Sequence, residues 1–255
     1  MNTVKSLLVN WRDKKTTLYF HIGTLNYDGQ SYTFEYTHHS MGSRKIHDAF
    51  KYGYNLHPAF TELEKKYKSD VLFPAFDRRV PSSDRVNYLE ILDDLGLPLE
   101  ADRMDMLRET RGMISSDPYF FEEPLRLNSM NELISHFYIS GMRHRNLPKD
   151  WSTVVKLGDN LIATQEKDNK YDSNAVRLST TDGLWLGYIP GVYAQAVSAL
   201  LDREVDVKLT INEKRPTYAP QWWIRINLEA SLNKVKDEGF FFAMNELDEL
   251  IFQVA

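Results

Sequence analysis

The 255-residue chain contains no cysteine. That excludes disulfides, a thiolate nucleophile and any zinc site built on sulfur, and it suits a reducing compartment. A metal would have to be held by histidine and carboxylate. Of the seven histidines, His38, His39 and His47 form the one cluster, and neighbours on a strand point to opposite faces. They read as polar surface, and no metal or cofactor is expected. Long hydrophobic runs are also missing. The longest, Phe240 to Met244, falls far short of the roughly 20 residues of a membrane helix, and Leu7-Leu8-Val9 is shorter than the apolar core of about 7 to 15 residues in a signal peptide. A soluble, cytosolic protein is expected. An excess of positive charge is absent too: the net charge is −5, which argues against coating duplex DNA, because non-specific affinity grows with the number of phosphates neutralised. Residues 136–232 are nearly balanced, with 12 Lys and Arg against 11 Asp and Glu. Nucleic-acid binding, if present, would work through a local pocket. No phosphate-binding glycine loop, nucleophile elbow or HExxH motif occurs, so a non-enzymatic role is expected.

What is present is 42% hydrophobic and 13% aromatic residues, enough for two ordinary cores. The first 36 residues read as an antiparallel meander: Ser6 to Trp11, Thr17 to Leu25 and Ser31 to Tyr36 are β-prone, with turns at Asp13-Lys14-Lys15 and Tyr27-Asp28-Gly29-Gln30. Pro58 followed by Phe60, Leu63 and Tyr67 predicts a helix. Ser82-Ser83-Asp84 before Val86, Leu89, Leu92 and Leu95, closed by Gly96, predicts a second, and Met104, Met106 and Leu107 a short third. Pro118 to Asn128, with Glu122-Glu123-Pro124, reads as a linker. The expected division is therefore 1–128 and 129–255. Met244, Leu247, Leu250 and Ile251 predict an amphipathic C-terminal helix that packs on the body or docks a partner.

The run from Ile162 to Pro190 sets a polar Asp-Asn-x-Tyr-Asp-x-Asn-Ala loop (Asp168 to Ala175) between strand-like segments, with a hairpin turn at Thr181-Asp182-Gly183. Its Tyr171, Asp172, Asn174 and Ala175, with Gly187-Tyr188-Ile189-Pro190 downstream and Ser140-Gly141-Met142-Arg143-His144 upstream, resemble the HIRAN family over roughly 136 to 232. The N-terminal half, through Val71 to Pro81, Met106-Leu107 and Gly112, is loosely similar to the N-terminal subdomain of HipA-type kinases. No kinase domain follows in this sequence, so docking is what that likeness would carry. The implied fold class is α+β: a small antiparallel sheet with helices, then a HIRAN-type, OB-like β-barrel with one or two helices.

The best understood HIRAN domain captures the 3′-hydroxyl end of single-stranded DNA, which is what the resemblance implies here, and such a site asks for a stacking aromatic, a phosphate-facing cation and an acceptor for the terminal hydroxyl. The resemblance assigns these to Arg143, His144, Asn169, Tyr171, Asp172, Tyr188 and Tyr218, with Arg145, Lys156 and Lys170 widening the basic rim. His144 stands where the family often has tyrosine. Simpler readings stay open: Tyr171 as a core aromatic, Arg143 and Arg145 as solvated cations on alternate positions of a strand, and Asp172 and Asn174 as caps of their own loop. Trp222 and Trp223, placed on a final strand, would face opposite ways, one into the barrel core. The expected role is binding of single-stranded DNA 3′ ends, or of damaged or stalled DNA. The alternative is a protein-interaction module of a toxin–antitoxin or defence system, docking a protein partner through the N-terminal half.

Overall fold

The structure, a computed structural model, describes residues 5–40, 42–115 and 117–233, and the backbone of 251–253. It divides into two compact units, Met1–Pro124 and Leu125–Ala255.

The first unit is built on one antiparallel sheet of β1 (Lys5–Arg12), β2 (Tyr19–Tyr27), β3 (Tyr32–Tyr36), β4 (Tyr67–Ser69) and β5 (Tyr119–Glu122), in the order β4-β3-β2-β1-β5. The β2–β3 turn follows from its residues. Asp28 accepts hydrogen bonds from the amides of Gln30 (2.8 Å) and Ser31 (2.7 Å), and Gly29 takes the left-handed φ of 90° that costs a side chain most. One face of the sheet, through Leu7, Val9, Phe20, Ile22, Phe34 and Tyr36, packs into an aromatic-rich core with Phe60, Phe73, Phe76 and Leu107. Four short helices surround it: α1 (Ile46–Lys51), α2 (Pro74–Asp77), α3 (Tyr88–Asp94) and α4 (Arg103–Thr110). The capping box of Asp102 and Asp105 starts α4, the short helix expected around Met104 and Leu107.

Three expectations for this half are corrected. No helix starts at Pro58. The segment loops under the sheet, where the carbonyl of buried Phe60 accepts from the Tyr36 hydroxyl (2.8 Å) and Tyr67 opens β4 opposite Phe34; strand pairing overrides the local spacing. The helix expected from Ser82 begins only at Tyr88, because Val86 and Leu89 face water and Leu92 alone of the stripe is fully buried, while Gly96 ends it at φ 68°. The supposed linker is two strands, β5 and β6 (Leu125–Leu127), which bury Phe121 and Leu125.

Behind the sheet a lysine and a histidine are buried together. Lys45 Nζ lies 3.1 Å from His21 Nδ1, and His21 Nε2 lies 3.0 Å from the Gly23 carbonyl. The ammonium can only donate, so Nδ1 accepts and Nε2 carries the hydrogen, which is the neutral imidazole. Burial, and then the Lys45 charge, hold His21 well below the ordinary histidine range.

In the second unit β7 (Glu132–Tyr138), β8 (Asn160–Gln165), β9 (Val176–Thr180), β10 (Trp185–Tyr188), β11 (Val207–Lys214) and β12 (Ile224–Ser231) form one curled sheet in the order β10-β9-β8-β11-β12-β7, which β6 and β13 (Ile251–Gln253) extend. Inward positions alternate as a two-residue period requires: Val176, Leu178 and Thr180; Leu209 and Ile211; Ile224, Ile226, Leu228 and Ala230 are all buried. Helix α5 (Gly191–Asp202) buries Val192, Tyr193, Ala196, Val197 and Leu200, with the Tyr193 ring stacked on Phe137 (4.8 Å between centroids). The curl brings the sheet's ends together. Beyond β7, Ser140 and Tyr188 exchange backbone hydrogen bonds of 2.9 Å in each direction. The chain is α+β as expected. The amphipathic helix expected over Met244 to Ile251 lies outside the described residues except at Ile251, which opens β13, a strand parallel to β6.

Two measurements check this account. A Cβ on Gly187 would sit 2.4 Å from the Ser140 carbonyl oxygen and 2.8 Å from Ile139 Cγ2, so Gly187→Ala should weaken the closure by about 1 to 3 kcal/mol. Native-state hydrogen exchange at the Ser140 and Tyr188 amides should then accelerate roughly 5- to 150-fold; unchanged exchange would show that the bridge does not hold the sheet ends. For His21 the folded-state pKa is depressed, so the unfolded chain binds the extra proton. Its contribution is complete above about pH 6.5 and is lost as pH falls below that, by up to about 1.4 kcal/mol per pH unit. Urea unfolding of the N-terminal unit should show declining stability between pH 7 and pH 5.5, and a flat profile there would refute the neutral buried imidazole.

Candidate functional site

Where the sheet closes, three connections meet: the turn after β7, the β8–β9 loop and the segment between β11 and β12. Gly141, at φ 76°, ends the extended chain, and Met142–His144 form a short 3₁₀ turn. Arg143, His144 and Arg145 therefore do not lie on alternate strand positions as expected. Met142 is buried, Arg143 and His144 are exposed and Arg145 is half-buried. The Arg143 Nε donates to His144 Nε2 over 3.1 Å.

The β8–β9 loop is braced from within. The Asn169 side-chain oxygen accepts from the amides of Tyr171 (3.0 Å) and Asp172 (3.3 Å), and its amide donates to Glu166 Oε2 (3.0 Å). Asp172 Oδ1 accepts from the Asn174 amide (2.9 Å); Asp172, rather than Asn174, supplies the capping side chain. With its backbone held in this way the loop turns Tyr171 outward. Its side chain is 63% exposed, which removes the core-aromatic reading, and Lys170 Nζ sits 4.8 Å from the ring centre.

Glu166 ties this loop to the strand that closes the sheet. Its Oε2 also accepts from the Tyr188 hydroxyl (2.9 Å), and its Oε1 lies 3.7 Å from Arg177. Burial and the bond to this carboxylate push the Tyr188 phenol up. The register shift between Trp185 and Gly187 inserts one residue, so Trp185 and Tyr188 share a side that a regular strand would deny them. Their rings meet edge to face at 5.7 Å. Arg145 lies over the Trp185 indole at 4.0 Å, and 5.6 Å from the Tyr188 ring. Glu166 as the brace and Trp185 as the platform were not among the expected site residues. The parity change at the bulge, which no local signal announces, hid Trp185.

On the other side, Pro220–Trp222 form a second 3₁₀ turn that lies against the first. Trp222 and Trp223 are thus not on a strand, and both are half-buried. Trp222 meets Tyr138 edge to face (4.9 Å), and Trp223 packs on Trp151 (5.1 Å) while its indole N–H donates to the Tyr218 carbonyl (2.8 Å). Tyr218 is 45% exposed, with Arg215 5.4 Å from its ring centre. Contacts therefore run from Tyr171 through Asn169, Glu166 and Tyr188 to Arg145 and the Arg143–His144 turn, and on to the turn that leads from Tyr218. The Lys156 amide is held by Asp159 (2.8 Å) in the β8 approach. Among the described residues no three His, Asp or Glu side chains gather to hold a metal; His38 and His47 instead face backbone carbonyls of Tyr36 and His38. Nor is any helix among them long and apolar enough to cross a membrane.

No curated protein sequence matches the chain. Similar solved structures are the crystal structure of the HIRAN domain of human HLTF (15% identity, TM-score 0.35, covering 49% of this chain and 92% of that one) and its NMR structure (14%, 0.30, 45% and 87%). A crystal structure of a protein from Lactobacillus plantarum is also similar (18%, 0.33, 39% and 96%). The HIRAN family model matches residues 134–234 of this chain.

Proposed function

We propose that the second unit binds single-stranded DNA and takes the strand's 3′ end at the closed edge of the curled sheet, as a binding module without catalysis. One observation carries this reading: two exposed tyrosines, Tyr171 and Tyr218, each with a cation beside its ring, stand at the two ends of a continuous row of contacts. Base stacking needs an exposed aromatic face, and a nearby cation serves the phosphate that follows each base.

In this reading Tyr171 stacks on the terminal base. The Asp172 carboxylate, whose oxygens can accept further bonds, takes the terminal hydroxyl. Arg143 and His144 meet the backbone from the exposed turn, and Tyr218 receives a base further along. Asn169 and Tyr188 act through position, Asn169 by shaping the loop and Tyr188 by anchoring Glu166. The near-balanced charge of this region fits a short, local contact rather than a long electrostatic track.

Fluorescence anisotropy with a labelled oligonucleotide tests the reading. A free 3′-hydroxyl end should bind more tightly than the same strand ending in a 3′-phosphate, and Tyr171→Ala should cost about 1 to 3 kcal/mol, roughly 5- to 150-fold in Kd. Equal affinity for the two ends would refute end recognition, and unaltered binding by the alanine variant would refute stacking on Tyr171.

A further inference from the structure

Arg145 lies closer to an aromatic ring than Arg177, Arg215 or Arg225 does. Its guanidinium carbon lies 4.0 Å from the centre of the Trp185 indole, and its Nε, like that of Arg177, is buried without a hydrogen-bond partner. Arg177, farther from the same indole at 5.7 Å, is balanced by Glu166 at 3.7 Å. Arg215 pairs with Glu213, and Arg225 lies within 3.9 Å of the same carboxylate. No described carboxylate or carbonyl pairs with the Arg145 side chain. Two guanidiniums on one indole repel each other, and Glu166, the described carboxylate that pairs with Arg177, also serves Tyr188 and Asn169.

Stacking fixes the plane of a guanidinium and leaves its edge free to donate two parallel hydrogen bonds, the geometry a phosphate accepts. The aromatic face also takes the place of part of the lost hydration. Arg145 follows the exposed Arg143–His144 turn and lies between Tyr188 and Trp185, midway along the contact row from Tyr171 to Tyr218. We infer that Arg145, planed by Trp185, is a clamp for one internucleotide phosphate of a bound single strand. This rests on the function proposed above and adds to it a defined phosphate site. It also explains the bulge in β10: without the shift of one residue, Trp185 and Tyr188 would lie on opposite faces and Arg145 would have no platform.

The test is the salt dependence of binding of a short single-stranded oligonucleotide to the full chain. Arg145→Gln should weaken binding about tenfold near 100 mM salt and reduce the slope of log K against log salt by about 0.7, the share of one phosphate on a single strand. Arg145→Lys should restore the slope but only part of the affinity, since an ammonium keeps the charge without the planar fork. A single neutral methylphosphonate, moved along the strand, should cost the wild type most at one linkage and cost the Arg145→Gln variant nothing further there. If the glutamine variant loses affinity with its slope unchanged, Arg145 is structural and the clamp is refuted; unaltered affinity refutes it equally. A wild type that binds both 3′ ends alike, with the slope still falling in the variant, overturns end recognition and leaves the clamp standing. Absence of all binding by the wild type overturns both.

Discussion

The candidate site depends on one contact, the pair of backbone hydrogen bonds between Ser140 and Tyr188 that joins the ends of the curled sheet. The approach is close because residue 187 is glycine, where the Ser140 carbonyl occupies the space of a side chain. The same contact sets the turn carrying Arg143 and Arg145 beside the strand carrying Trp185 and Tyr188. Tyr188 then passes the constraint to Glu166, and Glu166 to the β8–β9 loop. A site assembled from three connections owes its rigidity to this closure, since loops alone carry little ordering of their own.

Its electrostatics are local. The acidic chain supplies no broad attraction for a polyanion, and three cations near the site have a carboxylate beside them: Arg177 pairs with Glu166, while Arg215 and Arg225 share Glu213. What remains is a small number of cations set against aromatic faces, where a short contact counts more than net charge. The first unit follows a different logic. Its aromatic core and the buried Lys45–His21 pair concern stability, since a neutral imidazole beside an ammonium persists only while protons are scarce.

Much of this could be read in advance. The meander of β1 to β3 followed from alternation and turn residues, and α4 from its spacing. Of the HIRAN-like segments, Ser140 to His144 and Asp168 to Ala175 form two of the three connections that meet at the candidate site, and Gly187 to Pro190 ends the strand that closes the sheet. Other expectations failed where partners distant in the chain decide. Tyr67 entered a strand because Phe34 was there to pair with it, and Pro118 to Asn128 became β5 and β6 because buried edges awaited them. Trp222 and Trp223 left the strand because a 3₁₀ turn precedes β12.

The amino-acid sequence by itself determined the features that depend on near neighbours: the Asx-type bracing of the Asp168–Ala175 loop, the absence of cysteine chemistry and the modest local charge. Side chains a few residues apart meet in almost any fold, so their chemistry is legible from spacing. Only the tertiary structure decided that Tyr171 points to water, that Glu166 holds Tyr188, and that Arg145 lies on Trp185 with no described carboxylate paired to it. Those facts rest on a bulge that shifts strand parity by one residue and on a sheet closing upon itself, and both are set by packing between segments far apart in the chain.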